Sequence, residues 1–300
     1  MMLGAEDLNR ISSLELRARG IVEGFLQGLH RSPFVGFSVE FSSHRRYEPG
    51  DDLRHVNWKV FARQRKLYVK EFDAETNMSL YLLVDNTESM QCNAGGSITK
   101  QEYARILAAS IAHLGLKQRD AVALGMLGDG VEAYLDPSSK PGQWNDCLHT
   151  LSKASRGKKT SLRKSLEQSA MLARHRGLVI LFSDLIDEHA VDATAGFERG
   201  ISQLRHRGHE VVVFHILDPW ERQLPDSGKC RFVDLESDWE VTAEIGSIRS
   251  QYNDRIDKWC QRLEEICHDN GVDRIELTTE IPPGQALVDY LVRRSAMGGV

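Results

Sequence analysis

The sequence lacks the patterns that mark several common classes of enzyme and binding protein. It contains no GxxxxGK[ST] loop, which argues against ATP binding through a phosphate-binding loop. It contains no GxSxG elbow, which argues against serine hydrolysis of the α/β-hydrolase type. Its five cysteines are widely scattered and form no CxxC pair, so zinc-ligand spacing is absent and reduced thiols are expected instead of disulfides.

Long apolar runs and an excess of basic charge are also missing. No window approaches the roughly 18–20 apolar residues that a membrane-spanning helix needs. The N-terminal stretch MMLGAEDLNRISS has no apolar core of the kind found in secretory signals. The net charge of −5 gives no overall attraction to nucleic acid. We therefore expect a cytoplasmic protein with no membrane span and no nucleic-acid partner.

Short apolar runs alternate with helical stretches from about residue 77 onward. The predicted strands are Leu80–Val84, Ala121–Leu127, Val131–Leu135, Leu178–Phe182, Val211–Leu217 and Val272–Leu277. The predicted helices are Lys100–Leu116, Gln143–Leu151, Ser161–Arg174, Phe197–Arg207, Ser247–His268 and Gly284–Arg293. Because apolar strands separated by helices are typical of parallel sheets buried on both faces, we predict a doubly wound, mostly parallel α/β fold. The step Gly128-Asp129-Gly130 predicts one antiparallel edge strand.

The first 76 residues have a different character. They begin with an amphipathic helix, in which apolar residues recur three and four apart from Leu8 to Leu29. An irregular or β segment follows, and between Arg45 and Lys70 it carries eight basic residues against three acidic ones. We predict that residues 1–76 form an N-terminal helix and a basic segment that packs on a single α/β domain of residues 77–300.

Two of the predicted strands lead into an aspartate, Asp85 and Asp184. In open parallel sheets, ligands bind beyond the carboxyl ends of the strands, where the strand order reverses. Thr87 and Ser89 add two hydroxyls on the loop after Asp85, and Thr160 adds a third before a predicted helix. Mg²⁺ prefers about six oxygen ligands and keeps several waters. These five residues are therefore candidates for a Mg²⁺ or Mn²⁺ site.

Each of these residues also has an ordinary structural role. Thr160 or Ser161 is a natural N-cap for the helix that follows. Asp184 can cap a turn, and Ser89 can cap a helix whose first turn includes Met90. Taken singly, the residues leave the structural and the metal-binding interpretations open.

The order Asp85-x-Thr87-x-Ser89 resembles the DxSxS metal-ion-dependent adhesion site of von Willebrand factor A domains. Thr160 and Asp184 match the separate threonine and aspartate of that site by their order in the chain. Thr87 replaces the usual serine and keeps the coordinating hydroxyl. The resemblance implies a von Willebrand factor A-like domain that binds proteins without catalysis, with the metal accepting an Asp or Glu of the partner as its final ligand.

An upstream block contains Glu40-Phe41, Arg45–Tyr47, Pro49–Asp52, Arg54, Asn57-Trp58 and Ala62-Arg63. These residues resemble the signature of the bacterial family called domain of unknown function 58, in which such a block precedes the A domain. Asn57 stands where an aspartate is usual. Two roles are open for the block: it binds a partner, or it fastens its own segment to the A domain. The residues concerned are Arg45, Arg46, Asp51, Asp52, Arg54, Trp58 and Arg63.

Members of this family resemble companions of MoxR-type AAA+ ATPases, which implies an adaptor or chaperone-like role between such an ATPase and a client protein. Two alternatives stay open. A strand that ends in Asp-x-Thr also resembles magnesium-dependent haloacid-dehalogenase-type phosphohydrolases, with Asp85 as nucleophile. Thr87, however, stands where those hydrolases usually carry an aspartate as general acid. In the second alternative the metal site is vestigial, and a scaffold binds its partner through the N-terminal block or a helix face.

Overall fold

The computed structural model describes residues 5–29, 44–46, 68–70, 79–153, 161–186, 194–233 and 240–297. Contacts between Cα atoms group the chain into two units. One unit comprises Met1–Arg31 together with Met78–Val300, and the other comprises Ser32–Asn77. The N-terminal helix therefore belongs with the α/β part of the chain. The sequence-based division into domains of residues 1–76 and 77–300 stays a prediction.

In the smaller unit, two short strands are described. Strand β1 (His44–Arg46) pairs antiparallel with β2 (Tyr68–Lys70), and Arg45 lies opposite Val69. Arg45 and Arg46 of the predicted basic block thus have extended backbones within this ribbon. The other residues that the block contributes to the predicted site lie outside the described residues: Asp51, Asp52, Arg54, Trp58 and Arg63.

The larger unit is built on a six-stranded sheet with the order β10-β7-β6-β3-β4-β5. Its strands are β3 (Ser79–Asp85), β4 (Ala121–Gly128), β5 (Gly130–Ser138), β6 (Gly177–Ser183), β7 (Glu210–Leu217) and β10 (Asp273–Thr278). Every pairing is parallel except that of β4 with β5, which joins the edge strand antiparallel through Gly128 and Gly130. The predicted doubly wound, mostly parallel fold with one antiparallel edge strand is confirmed.

Eight helices are described. They are α1 (Ala5–Leu29), α2 (Lys100–Lys117), α3 (Gln143–Leu151), α4 (Leu162–Leu172), α5 (Ala195–His206), α6 (Pro219–Arg222), α7 (Ile245–Asp269) and α8 (Pro283–Met297). A hairpin of β8 (Lys229–Val233) and β9 (Glu240–Glu244), which the sequence analysis did not predict, precedes α7. Among the described helices, none combines the length and apolar character needed to cross a membrane.

Alternate residues of the sheet point to its two faces, and helices bury both. On one face, Leu83, Val179 and Val213 join a core with residues of α4, α5 and α7. On the other, the Phe214 ring stacks on Phe182 and meets Tyr290 of α8 edge-on. Helix α1 packs on α2 along this second side of the unit. The central strands are therefore almost entirely buried, which explains why their sequences are uniformly apolar.

The strand order reverses between β3 and β6. From β3 the chain adds β4 and β5 on one side, then crosses over to β6 on the other side and continues outward to β7 and β10. Asp85 is the last residue of β3, and Ser183 is the last residue of β6. The two strand ends that the sequence singled out therefore lie side by side at the switch point of the sheet, where open α/β folds bind their ligands.

Candidate metal centre at the switch point

Asp85, Thr87 and Ser89 form a compact group of oxygen atoms at the end of β3. Oδ1 of Asp85 accepts hydrogen bonds from the Thr87 backbone N–H at 3.1 Å and from the Thr87 hydroxyl at 2.8 Å. The hydroxyls of Thr87 and Ser89 are 3.1 Å apart. Since Thr87 gives its proton to Asp85, the Ser89 hydroxyl donates to Thr87. Asp85 and Thr87 are buried and Ser89 is half-buried, so Ser89 forms the accessible side of the group.

The second carboxylate oxygen of Asp85 is held from the neighbouring strand. The hydroxyl of Ser183, at the end of β6, donates to Oδ2 of Asp85 at 2.6 Å. The oxygen of the same hydroxyl accepts the Leu185 N–H at 2.9 Å. Asp85 is thus fixed from both sides, which leaves its side chain little freedom to rotate.

Asp184 follows Ser183 and is fully buried. Its Oδ1 accepts the Ile186 N–H at 3.1 Å, so Asp184 does cap a turn, as one interpretation of the sequence proposed. Its Oδ2 accepts a 2.7 Å hydrogen bond from the ammonium group of Lys100, the first residue of α2. The same ammonium group donates to Oε1 of Glu221 in α6, also at 2.7 Å.

Burial and neighbouring charges both shift the pKa values of these groups. Burial, followed by the charge of Asp184, raises the pKa of Asp85 to about 6, although the hydrogen bonds from Ser183 and Thr87 oppose the shift. Burial alone would lower the pKa of Lys100, but the carboxylates of Asp184 and Glu221 more than offset it, and the pKa is raised. Burial also raises the pKa of Glu221, against the effect of Lys100. The centre therefore holds mutually repelling carboxylates around one buried cation.

Asp218 organises the loop that leads from this centre into α2. Its carboxylate accepts the backbone N–H groups of Ala94, Gly95 and Gly96 at 2.8–3.1 Å, and that of Trp220 at 2.9 Å. Asp218 is the N-cap of α6, and Glu221 completes a capping box by accepting the Asp218 N–H. The loop, α6 and the Lys100 bridge are thereby linked.

The oxygen atoms of Asp85, Thr87 and Ser89 are of the type that Mg²⁺ binds, and two of their separations are compatible with neighbouring positions around one ion. Oxygens at neighbouring corners of an octahedron with metal–oxygen distances near 2.0–2.1 Å lie about 2.9 Å apart. Oδ1 of Asp85 and Oγ1 of Thr87 are 2.8 Å apart, and Oγ1 of Thr87 and Oγ of Ser89 are 3.1 Å apart. Carboxylate and hydroxyl oxygens are hard ligands. The residues present therefore fit Mg²⁺ or Mn²⁺.

A second cluster with ligand-type side chains lies further along the sheet, where His215, Cys260 and Glu276 bring their ligand atoms within 4.8 Å of one another. The two ring nitrogens of His215 are already engaged, one by the Asp184 carbonyl oxygen at 3.1 Å and the other by the Arg274 guanidinium at 2.6 Å. Arg222 also pairs with Glu276. Two guanidinium groups beside the cluster disfavour a cation there, so we assign it a structural role.

Sequence comparison identifies the family. The profile of the family described as "Protein of unknown function DUF58" matches residues 43–260, more than two thirds of the chain. The chain belongs to the DUF58 family. The resemblance inferred from the upstream block is confirmed at this level.

Similar proteins occur in Mycobacterium and in Bacillus. "Uncharacterized protein Rv1480" of Mycobacterium tuberculosis (strain H37Rv) is 26% identical over 231 residues, which cover 76% of this DUF58 chain and 70% of the relative. "Uncharacterized protein YeaD" of Bacillus subtilis (strain 168) is 33% identical over 87 residues, which cover 29% of this chain and 20% of that protein.

Two solved structures from Bacteroides are similar over most of their length. The conserved hypothetical protein BatB of Bacteroides thetaiotaomicron has a TM-score of 0.46 and 11% identity, and the match covers 74% of this DUF58 chain and 100% of that chain. An aerotolerance-related membrane protein of Bacteroides fragilis has a TM-score of 0.47 and 11% identity, with 73% and 99% covered.

The structure brings together four of the five predicted metal residues of this DUF58 protein. Asp85, Thr87 and Ser89 share direct contacts, and Asp184 lies close enough for its charge to act on Asp85. Thr160 lies outside the described residues; its neighbour Ser161 is the N-cap of α4 and accepts the Lys164 N–H. Ser89 begins a 3-10 turn whose N-cap is Glu88, so its proposed capping role is not observed. Which of the five residues bind metal stays a prediction.

The sequence analysis of this DUF58 chain missed four residues of the centre: Lys100, Ser183, Asp218 and Glu221. Asp218-Pro219-Trp220-Glu221 did carry a signal, because Asp, then Pro, then Glu three residues after the Asp is typical of a capped helix start. Lys100 carried none, since a lysine in the first turn of a helix is ordinarily exposed and opposed by the helix dipole.

Proposed function

We propose that this DUF58 protein is a non-enzymatic, metal-dependent adaptor that binds other proteins at the carboxyl end of its sheet. Asp85, Thr87 and Ser89 would hold a Mg²⁺ or Mn²⁺ ion, with Thr160 as a further ligand and with Asp184 acting on the ion through water or through its charge. The ion supplies a Lewis-acidic position that takes a carboxylate of the partner as a ligand. The observation that carries the proposal is the spacing of the three oxygens from Asp85 to Ser89 at the switch point.

The environment of each side chain suits binding better than turnover. Asp85 is buried and its two oxygens accept three hydrogen bonds, so its carboxylate is held in one orientation. Thr87 has no acid–base chemistry near neutral pH, which disfavours the phosphohydrolase alternative. The half-buried hydroxyl of Ser89 lies at the accessible side of the group, where a partner's Asp or Glu can approach.

The partner that we propose is a MoxR-type AAA+ ATPase, or a client protein delivered to it. This part of the proposal rests on the family resemblance of the upstream block and not on a contact in the structure. Seven residues of the upstream block are candidates for a second contact with such a partner or for fastening their own segment to the α/β domain. They are Arg45, Arg46, Asp51, Asp52, Arg54, Trp58 and Arg63.

Calorimetric titration with Mg²⁺ and with Mn²⁺ tests the metal site. Thr87→Val removes the hydroxyl but keeps the branched shape of a buried residue, whereas Thr87→Ser keeps the hydroxyl. We expect saturable binding by the wild type and Thr87→Ser, and its loss in Thr87→Val and Asp85→Ala. Asp129→Ala, at an exposed carboxylate that pairs with Lys164, is the control for loss of one acidic residue.

Two results would contradict the proposal. Equal metal affinity in the wild type and Thr87→Val would place the ion elsewhere. Hydrolysis of a phosphate ester by the wild type, abolished in Asp85→Asn, would establish a phosphohydrolase instead of an adaptor.

A further inference from the structure

Lys100 has an unusual position for a lysine. It is the first residue of α2, its side chain is fully buried, and it lies at the positive end of the helix dipole. Removing an ammonium group from water is costly unless close charges of opposite sign replace the hydration. Asp184 and Glu221 supply those charges, each with an oxygen 2.7 Å from Nζ.

The ion pairs of Lys100 with Asp184 and Glu221 lie next to the candidate metal centre. Asp184 is adjacent to Ser183, whose hydroxyl holds Asp85, and the Asp184 charge acts on Asp85. Oδ2 of Asp184 is occupied by the Lys100 ammonium and Oδ1 by the Ile186 N–H. Both oxygens of this carboxylate therefore have partners within the chain, and one of those partners is a cation. Asp85 Oδ1, by contrast, accepts only uncharged donors among the described residues, the N–H and the hydroxyl of Thr87.

We propose that Lys100 is a built-in cation that takes the place of a metal ion at Asp184, so that the centre folds without metal. A divalent ion is then needed only for the partner-facing group of Asp85, Thr87 and Ser89, and this second clause rests on the proposed function. The proposal has a specific consequence: without the ammonium group, Asp184 and Glu221 face each other uncompensated, and a divalent ion becomes a requirement for stability.

Lys100→Met tests this consequence, because methionine keeps an unbranched chain of similar length without charge. Thermal unfolding is followed in EDTA and in excess Mg²⁺. We expect the midpoint of Lys100→Met in EDTA to fall by roughly 10 °C relative to the wild type, since breaking a buried ion pair leaves unpaired charges. Mg²⁺ should restore at least half of this loss in Lys100→Met and raise the wild-type midpoint by clearly less.

The double variant Lys100→Met/Asp184→Asn is the matched control. It removes the carboxylate that faces the missing ammonium, so it should be more stable in EDTA than Lys100→Met and should not gain the Mg²⁺ response. If Lys100→Met is insoluble, a folded double variant in EDTA supports the proposal. A double variant that is equally insoluble overturns it.

Two further outcomes also overturn the proposal: a Lys100→Met midpoint equal to that of the wild type in EDTA, and a lowered midpoint that Mg²⁺ does not restore. Failure of the proposed function looks different. It would appear as absence of metal binding in the wild type by calorimetry, and Lys100→Met would still gain a Mg²⁺ response if Lys100 replaces an ion at Asp184.

Discussion

Ser183 donates a 2.6 Å hydrogen bond to Oδ2 of Asp85, and both side chains are buried. The bond joins the last residues of β6 and β3, the two strands on either side of the switch point. It satisfies Oδ2 of Asp85, and the other oxygen, Oδ1, accepts the N–H and the hydroxyl of Thr87. The orientation of the Asp85 carboxylate therefore depends on β3 and β6 being neighbours in the sheet.

Ser183→Ala should weaken both the fold and the candidate metal centre. The change leaves Oδ2 of Asp85 without its donor, and an unsatisfied buried acceptor costs roughly 1–3 kcal/mol of unfolding free energy. Because only the hydrogen bonds from Thr87 then orient Asp85, we also expect Mg²⁺ affinity to fall. Urea unfolding and calorimetry measure the two effects.

Ser110→Ala is the matched control for this prediction. The Ser110 hydroxyl is equally buried but donates to the Ile106 carbonyl within α2. It should leave Mg²⁺ affinity unchanged. An equal loss of affinity in both variants would show that Ser183 acts through general stability and not through Asp85.

Asp218→Ala should release the loop that precedes α2. The carboxylate is fully buried and accepts four backbone N–H groups, which no other side chain of the described residues is seen to satisfy. Charge-assisted bonds to backbone donors are stronger than neutral ones. We expect a loss of about 3 kcal/mol in urea unfolding and faster proteolytic cleavage between residues 92 and 99. Asp129→Ala is the control. The Asp129 side chain is exposed, so its loss should change the free energy of unfolding by less than about 0.5 kcal/mol.

Gly200→Ala should destabilise the protein although alanine is the better helix former. A Cβ at Gly200 in α5 would lie 2.5 Å from Leu166 of α4, closer than packed carbons can approach. We expect a cost of about 1–3 kcal/mol. Gly20→Ala in α1 is the control, since a Cβ there meets nothing within 4 Å. This change should raise the free energy of unfolding by at most about 1 kcal/mol. A stabilising Gly200→Ala would contradict the described packing of α4 on α5.

The sheet could be predicted because its strands are buried on both faces. The run Leu178–Phe182 is uniformly apolar and falls within the observed strand Gly177–Ser183. The β8–β9 hairpin could not be predicted in the same way. Glu240 and Val241 of β9 are both exposed, so neither a continuous apolar run nor a clean alternation is present. Its pairing depends on the neighbouring strand more than on its own composition.

The residues of the candidate metal centre also differ in whether the sequence predicts them. Asp85, Thr87 and Ser89 could be predicted as a group because they share one loop, and loop spacing is visible in the sequence. Ser183 and Lys100 reach the centre from other elements, 98 and 84 residues away from their respective partners Asp85 and Asp184. Those contacts depend on strand order and on the direction of a buried side chain, and neither is encoded by local spacing.

The buried His209, which packs against Tyr81 of β3, should make the free energy of unfolding depend on pH. His209 is buried against Tyr81, its ring Nδ1 has no hydrogen-bond partner among the described residues, and burial lowers its pKa. The folded protein therefore binds a proton at His209 less readily than the unfolded chain, which protonates it near the ordinary value of about 6.5. Below that pH the unfolded state binds more protons, so the free energy of unfolding falls as the pH is lowered.

His209→Phe should flatten this decline, because phenylalanine keeps a ring against Tyr81 without a titrating group. Urea unfolding at pH 7, 6 and 5 measures the slope, to which one histidine contributes at most about 1.4 kcal/mol per pH unit. Some decline should persist, since burial also lowers the pKa of His113 and lowers that of His215 to about 3. If His209→Phe kept the wild-type slope, protonation of His209 would not contribute to acid unfolding.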